Sequence, residues 1–226
     1  MKRYTKAGQI KVGVVGYGGA FNMGKCHLME MQKAGMVPAA VTEIDPARLK
    51  VAETDFPGIG TFASVGAMLK GSDVDLVTII TSHNTHAKLA IECLKAGRHV
   101  VTEKPFAITT AECDAMIAAA KKSRVTLSTY HNRHWEGQLE ITGAKGTFVF
   151  SHRDWTAITH DGKNTVITKG ASPDNEGWKF YQNVADHLTK GTKLVITPEW
   201  ARRPIHLIDL ACRSAKSGRS LPTVYK

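Results

Sequence analysis

The chain has 226 residues, 42% of them hydrophobic and 22% charged, proportions that exclude disordered and fibrous classes and suit one large domain or two unequal ones. The net charge of +10 favours anionic partners, but the lysines and arginines are scattered and dense only at 121–124 and 202–219, so a solvated basic surface is expected and no nucleic-acid partner. No apolar run is long enough to span a bilayer, and the polar, basic start lacks a signal-peptide core, which predicts no membrane association and a cytoplasmic location.

From residue 10 to 129, short β-branched runs alternate with longer stretches of helical character, the pattern of a parallel sheet with crossover helices. Strands are predicted at 10–15, 37–43, 60–62, 76–81, 99–102 and 126–129, and helices at 24–34, 46–55, 65–70, 85–96 and 110–122. Gly35 and Gly97 stand where helix ends need a left-handed residue, and Asp45-Pro46 supplies an N-cap followed by proline at the first helical position. Cys26, Cys93, Cys113 and Cys212 lie far apart within predicted helices, without metal or redox spacing, and are expected to be reduced core residues. After Tyr130 the pattern changes, and Gly137 closes the first domain. Strands at 139–142 and 147–150 flank a turn at 143–146, and strands at 155–159 and 165–168 flank Asp161-Gly162. Two helices follow, one from about 176 to 189 with Gly191 beyond it, the other capped by Thr197, with Pro198 just inside, and stopped by Gly218.

The most informative stretch is Val12-Gly13-Val14-Val15-Gly16-Tyr17-Gly18-Gly19-Ala20-Phe21, a buried-type strand running into a glycine-rich turn before a helix. A pyrophosphate needs close approach of backbone N–H groups at a helix N-terminus, and glycine at 16 and 18 removes the side chains that would block it. The third glycine of G-x-G-x-x-G would fall at Phe21, and Gly24 comes three residues later, so the turn is expected to be long and the helix to start late. A tight structural loop is the alternative. Glu43, at the end of the second strand, can accept hydrogen bonds from adenosine ribose hydroxyls, and an acid there repels a 2′-phosphate, favouring NAD over NADP. A solvated strand-end carboxylate is the alternative for Glu43, and Asp45 competes for the role but is better explained as a cap.

Two further strand ends carry chemistry: Thr78-Ile79-Ile80-Thr81-Ser82-His83-Asn84-Thr85-His86 and His99-Val100-Val101-Thr102-Glu103-Lys104-Pro105. With the preceding Leu94-Lys95-Ala96-Gly97-Arg98, the Glu-Lys-Pro signature resembles the glucose–fructose oxidoreductase and inositol dehydrogenase family, Gfo/Idh/MocA, and the resemblance runs from residue 10 to about 137. It implies an α/β fold, a Rossmann-type doubly wound parallel sheet at 1–137 with a small, truncated α+β domain at 138–226, and oxidation of a sugar or polyol hydroxyl. It also implies that Gly16, Gly18, Gly19, Ala20 and Phe21 hold the pyrophosphate, Glu43 the ribose, and Thr81, Ser82 and His83 line the cofactor. His86 matches a family histidine, with packing or capping as the alternative. Glu103 and Lys104 match the pair whose lysine sits by the nicotinamide and the substrate hydroxyl. A cation there lowers the cost of a developing alkoxide, and a desolvated lysine has a depressed pKa. Asn132 and Arg133 match a pair near the substrate. The spacing of His131 and His134 suggests a metal only in isolation; with no carboxylate or cysteine set around them, no metal is expected.

The family continues after this segment into a larger, mostly antiparallel domain that supplies acid–base residues, and that stretch is expected to be missing between Gly137 and Gln138. His131, His134, His152 and His160 are possible substitutes, none selected by spacing. A short second sheet leaves edges that invite pairing, so a homo-oligomer is expected. The competing reading is a protein that keeps NAD binding and has lost turnover.

Overall fold

The computed structural model describes residues 4–18, 22–132, 139–151, 153–172, 174 and 176–223. They divide into two units, Met1–Tyr130 together with Tyr181–Lys226, and His131–Phe180. The division expected from sequence, at residue 137 with everything beyond it in a second domain, differs from this arrangement: the last two helices return to the first unit.

In the first unit β1 (Lys11–Val15), β2 (Val37–Thr42), β3 (Gly60–Phe62), β4 (Leu76–Ile79), β5 (His99–Thr102) and β6 (Leu127–Thr129) form one parallel sheet in the order β3-β2-β1-β4-β5-β6. β4 and β5 are buried along their whole length because helices cover both faces, which is why their sequences read as unbroken apolar or β-branched runs. The crossover helices are α1 (Met23–Lys33), α2 (Pro46–Asp55), α3 (Val65–Gly71), α4 (His86–Lys95) and α5 (Thr110–Ser123). Their ends are set locally. Asp45 accepts from the Ala47 N–H at 2.9 Å, Ser64 from the Ala67 N–H at 3.2 Å, and Thr109 and Glu112 form a reciprocal capping box. Gly35 and Gly97 leave α1 and α4 with φ of 83° and 76°.

Val77, Ile79, Leu94, Val100, Phe106, Met116 and Leu127 belong to one buried cluster between the sheet and its helices. Each such side chain contributes roughly 1.5–3 kcal/mol on burial. Sheet order reverses direction between β1 and β4, so the loops leaving them diverge there and open a crevice. Backbone hydrogen bonds of 2.8 Å pin the start of each loop: Gly16 N–H to the Thr42 carbonyl, Ile80 N–H to Val15 and Glu103 N–H to Ile79.

α6 (Lys179–Lys190) and α7 (Pro198–Ser217) follow the inserted unit, the division between units falling within the first turn of α6. Tyr181, Val184, Ala185, Leu194 and Ile196 are buried, and Ala201 and Ile205 of α7 join the main cluster. α7 lies over α5 and β6, tied by Arg202 to Asp114, with 3.0 Å between Nη2 and Oδ2, and by Asp209, which accepts from the Thr110 hydroxyl at 2.7 Å. Thr197 caps it, Pro198 opens it and Gly218 ends it at φ 63°. Cys93 and Cys113 are core residues as expected, whereas Cys26 is half-buried and Cys212 is exposed, because the second half of α7 extends past the surface it covers.

The second unit holds β7 (Leu139–Gly143), β8 (Gly146–Phe150), β9 (Asp154–His160) and β10 (Thr165–Ala171) in an antiparallel sheet ordered β10-β9-β8-β7. The β9–β10 turn is held by Asp161, whose Oδ1 accepts from the Lys163 and Asn164 N–H groups at 2.9 and 2.7 Å. Trp155 stacks on Phe148 and lies opposite Gly170, where an added Cβ would come within 2.5 Å of the indole. This small sheet is the second domain expected from sequence; α7 and nearly all of α6 belong to the other unit.

Candidate functional site

A cleft of about 650 Å³ opens at the crevice between β1 and β4, lined by Gly16, Gly18, Asn22, Met23, Gly24, Ile80, Thr81, Ser82, His83, Glu103 and Lys104. Gly16 has φ 104°, and a Cβ there would sit 3.2 Å from the Ile80 carbonyl carbon and oxygen, so glycine lets the turn run against the end of β4. At Gly18 a Cβ would meet nothing within 4 Å; the missing side chain leaves open space instead. The N-terminus of α1 faces the same cleft, and Asn22, at φ 50°, makes no side-chain capping bond to it. Uncapped first-turn N–H groups and the positive end of the helix dipole together make an anion site.

Gly24 completes this geometry. Its Cβ would lie 2.6 Å from Tyr17 Cδ2 and 2.8 Å from the Gly16 carbonyl oxygen, so α1 packs on the turn only with glycine there. This is the close-packing role of the third glycine in the fingerprint, displaced three residues by the lengthened turn. Sequence reasoning noticed Gly24 but left it out of the site; the signal was its place in the first turn of the helix.

Glu43 stands just past the end of β2 and fixes the turn that lines the cleft. Oε2 accepts from the Tyr17 N–H at 2.7 Å, and Oε1 from the Ile44 and Asp45 N–H groups at 2.7 and 3.2 Å. The Tyr17 hydroxyl donates to Asp55 at 2.9 Å, and Lys25 pairs with the same carboxylate at 2.7 Å. Burial, and then the Asp55 hydrogen bond, push the Tyr17 phenol above its ordinary pKa, while the Lys25 hydrogen bond holds Asp55 below its own.

Two loops form the other wall. Thr81, Ser82 and His83 leave β4; Glu103, Lys104 and Pro105 leave β5. Glu103 is 8% exposed, and burial alone would raise its pKa. Against burial, hydrogen bonds from His27 and the Lys104 N–H, with the Lys104 ammonium beside it, bring it down to about 2. The carboxylate is therefore anionic at neutral pH. Lys104 Nζ lies 3.4 Å from it with 52% of the side chain exposed, so the expected desolvated lysine is corrected to a solvated cation held by a carboxylate.

His86 is fully buried, with Nδ1 2.9 Å from the Pro105 carbonyl and Nε2 3.0 Å from the Thr81 carbonyl. It sits behind the two loops rather than on the cleft wall, which is the packing alternative. Burial is the main cause lowering its pKa. Asn132 falls in the second unit, and Gly19, Ala20, Phe21 and Arg133 lie outside the described residues. Of the histidines considered as acid–base groups, His134 and His152 lie outside them too, and His160 is hydrogen-bonded to Thr165 in the β9–β10 hairpin at 2.9 Å.

A parallel sheet of this order, with a glycine turn, an uncapped helix N-terminus and a strand-end acid at its switch point, defines a Rossmann domain of the dinucleotide-binding class. Residues 10–131, more than half of the chain, match the family model described as "Oxidoreductase family, NAD-binding Rossmann fold". The chain belongs to this Gfo/Idh/MocA family. It is 32% identical over 130 residues to the oxidoreductase YdgJ of Escherichia coli K12, covering 58% of this chain and 36% of that protein. It is 29% identical over 139 residues to the scyllo-inositol 2-dehydrogenase (NADP+) IolW of Bacillus subtilis, covering 62% of this chain and 38% of the relative. The chain thus matches little more than a third of the length of these curated relatives. Its fold is similar to the WlbA dehydrogenase of Bordetella pertussis, solved with NADH and UDP-GlcNAcA, at a TM-score of 0.70 and 19% identity over 95% of this chain and 99% of that one. Among the described residues no helix is long and apolar enough to cross a membrane, and no three His, Cys, Asp or Glu side chains group as a metal site.

Proposed function

We propose that the chain is an NAD-dependent oxidoreductase that moves a hydride between the nicotinamide and a hydroxyl-bearing carbon of a sugar or polyol. The observation that carries this reading is the meeting, in one cleft, of the uncapped α1 N-terminus, Gly16 and Gly18 with the Glu103–Lys104 pair. The residues present fit the dinucleotide. The open space at Gly18 and the first-turn N–H groups of α1 receive the diphosphate, with Gly19, Ala20 and Phe21 added by family resemblance. Glu43, anchored by backbone N–H groups, accepts from the ribose hydroxyls and repels a 2′-phosphate.

When bound, NAD supplies the hydride acceptor. Thr81, Ser82 and His83 border the nicotinamide end of the cleft, with Asn132 and Arg133 as the substrate-side pair by family resemblance. Lys104 hydrogen-bonds the substrate hydroxyl and lowers the cost of negative charge developing on its oxygen. Glu103 holds that ammonium in place. The names of IolW, an inositol dehydrogenase, and of WlbA, solved with a nucleotide sugar, support the polyol or sugar class.

The test is calorimetric titration with NAD and NADP, followed by reduced-nicotinamide absorbance across a panel of cyclic polyols and sugars. NAD should bind more tightly than NADP by about tenfold, the scale of one like-charge contact near the surface. No absorbance change across a broad panel counts against turnover. A second reading, NAD binding without turnover, is favoured by the short match to the relatives, 36% and 38% of their lengths. NAD affinity that persists with no hydride transfer selects it; turnover abolished by Lys104→Ala excludes it. A homo-oligomer is proposed on the free edges of the second sheet, where Val166 and Ile167 of edge strand β10 are 55% and 57% exposed. Light scattering across a dilution series tests it, and a monomer at every concentration refutes it.

A further inference from the structure

Beneath the cleft, a line of hydrogen bonds runs inward from the Glu103 carboxylate. Oε2 accepts from the Lys104 N–H at 2.8 Å, and Oε1 lies 3.1 Å from His27 Nε2. On the far side of the imidazole, Nδ1 lies 2.5 Å from the Tyr181 hydroxyl, which in turn lies 3.1 Å from the Thr78 hydroxyl. His27, Tyr181 and Thr78 are at 0% exposure, so no water competes for these bonds.

The donor inventory fixes the directions. An ionised Glu103 can only accept, so the proton must be on Nε2 of His27. In the neutral ring Nδ1 then accepts from the Tyr181 O–H, and the Tyr181 oxygen is left to accept from Thr78. The imidazole is enclosed by two ring contacts: Tyr130 meets it edge-on at 4.4 Å and Tyr181 at 5.8 Å. These rings hold the imidazole plane, Glu103 fixes hydrogen on Nε2, and the Tyr181 hydroxyl satisfies Nδ1 from the other side. The line therefore joins α1, β4, β5 and α6, and its outer end is the residue that holds Lys104.

We propose that Tyr181, delivered by the segment that returns after the second unit, is a positioning residue for the cofactor cleft: through His27 it aims the Glu103 carboxylate and thereby the Lys104 ammonium. The inference rests on the reading of the cleft as a nicotinamide site. It predicts that a hydroxyl outside the cleft lining controls ligand affinity inside it, through the hydrogen bond that holds one histidine ring.

The test combines side-chain 15N spectra of histidine with NAD titration. A His27→Gln protein identifies the His27 signal. Wild-type protein should show hydrogen on Nε2 and an Nδ1 resonance shifted by its hydrogen bond, and Tyr181→Phe should move that Nδ1 resonance while Nε2 keeps its hydrogen, and weaken NAD by about tenfold, the scale of one unsatisfied buried hydrogen bond. Thr78→Val leaves the Tyr181 donor in place, so it should keep the Nδ1 resonance and hold NAD affinity within about threefold. An Nδ1–H or doubly protonated ring in the wild type overturns the proposal. So does a Tyr181→Phe protein whose His27 signal is unchanged, or one whose signal changes while NAD affinity does not. Wild-type protein that binds no NAD sinks the cleft assignment instead, and the histidine spectra, which need no ligand, still decide whether Tyr181 bonds Nδ1 of His27.

Discussion

Replacing Gly24 by alanine separates the packing of the glycine turn from its ligand chemistry. The added Cβ would lie 2.6 Å from Tyr17 Cδ2, 2.8 Å from the Gly16 carbonyl oxygen and 3.2 Å from Tyr17 Cα. The ring cannot swing away, because Tyr17 is fully buried and its hydroxyl is bonded to Asp55, and the other two atoms are backbone. Relief requires α1 to move off the turn. Alanine gains about 1 kcal/mol of helix propensity, and overpacking costs about 1–3 kcal/mol. A net loss of about 1 kcal/mol lowers the melting temperature of a chain this size by roughly 2–4 °C. Gly18→Ala is the control, since among the described residues its Cβ meets nothing within 4 Å. Differential scanning calorimetry without ligand should show a lower Tm for Gly24→Ala alone, and NAD titration should show both variants weakened by more than about tenfold. A Gly24→Ala protein with unchanged or raised Tm and undiminished NAD affinity would refute the argument that close approach of α1 fixes the turn.

Lys104→Met keeps the hydrocarbon stem and removes the charge; kcat should fall by about 100-fold or more with Tm within about 1 °C of wild type, and equal kcat values would remove Lys104 from the chemistry. Burial lowers the His99 pKa from 6.5 to about 4, and its Nδ1 accepts from the Thr126 N–H, so the folded ring resists protonation while the unfolded one does not. Stability should therefore fall as pH drops from 6.5 towards 4, by up to about 1.4 kcal/mol per pH unit; urea midpoints at several pH values should show this slope in wild type and lose it in His99→Gln. Glu103 adds a second loss below its ordinary value of 4.5, continuing towards its folded value near 2, which Glu103→Gln should flatten. Leu94→Ala, in the main core, should cost about 2–5 kcal/mol; a Tm within about 2 °C of wild type would place Leu94 outside the core.

The first unit was largely legible because its elements are local and mutually consistent. Asp45-Pro46 opens α2 at the predicted residue, Gly35 and Gly97 end α1 and α4, and α2 spans Pro46–Asp55 as read from the sequence. Strand ends were over-extended at β4, read to residue 81 but ending at Ile79, since β propensity does not report where the sheet partner stops. The cleft members Gly16, Gly18, Thr81, Ser82, His83, Glu103 and Lys104 were found by motif. What escaped depends on distance in three dimensions. The role of Gly24 needs the Tyr17 ring above it, the exposure of Lys104 needs the path of its loop, and the burial of His86 needs the Pro105 carbonyl beside it. The return of α7 to the first unit was hidden for the same reason: an amphipathic pattern shows that Ala201 and Ile205 are buried, not that α5 is what buries them.

Tyr130 and Tyr181 are the last residue before the inserted unit and the first after it, and their rings stack at 5.7 Å. The insertion therefore leaves and re-enters its host through adjoining posts. For such an arrangement the entropic penalty depends on the separation of the posts and only logarithmically on what is strung between them, about 0.6 kcal/mol for each doubling of a flexible insert. A lobe of very different size can be spliced between the two tyrosines without disturbing the parallel sheet that carries them, which marks this junction as the place where lobes could be exchanged.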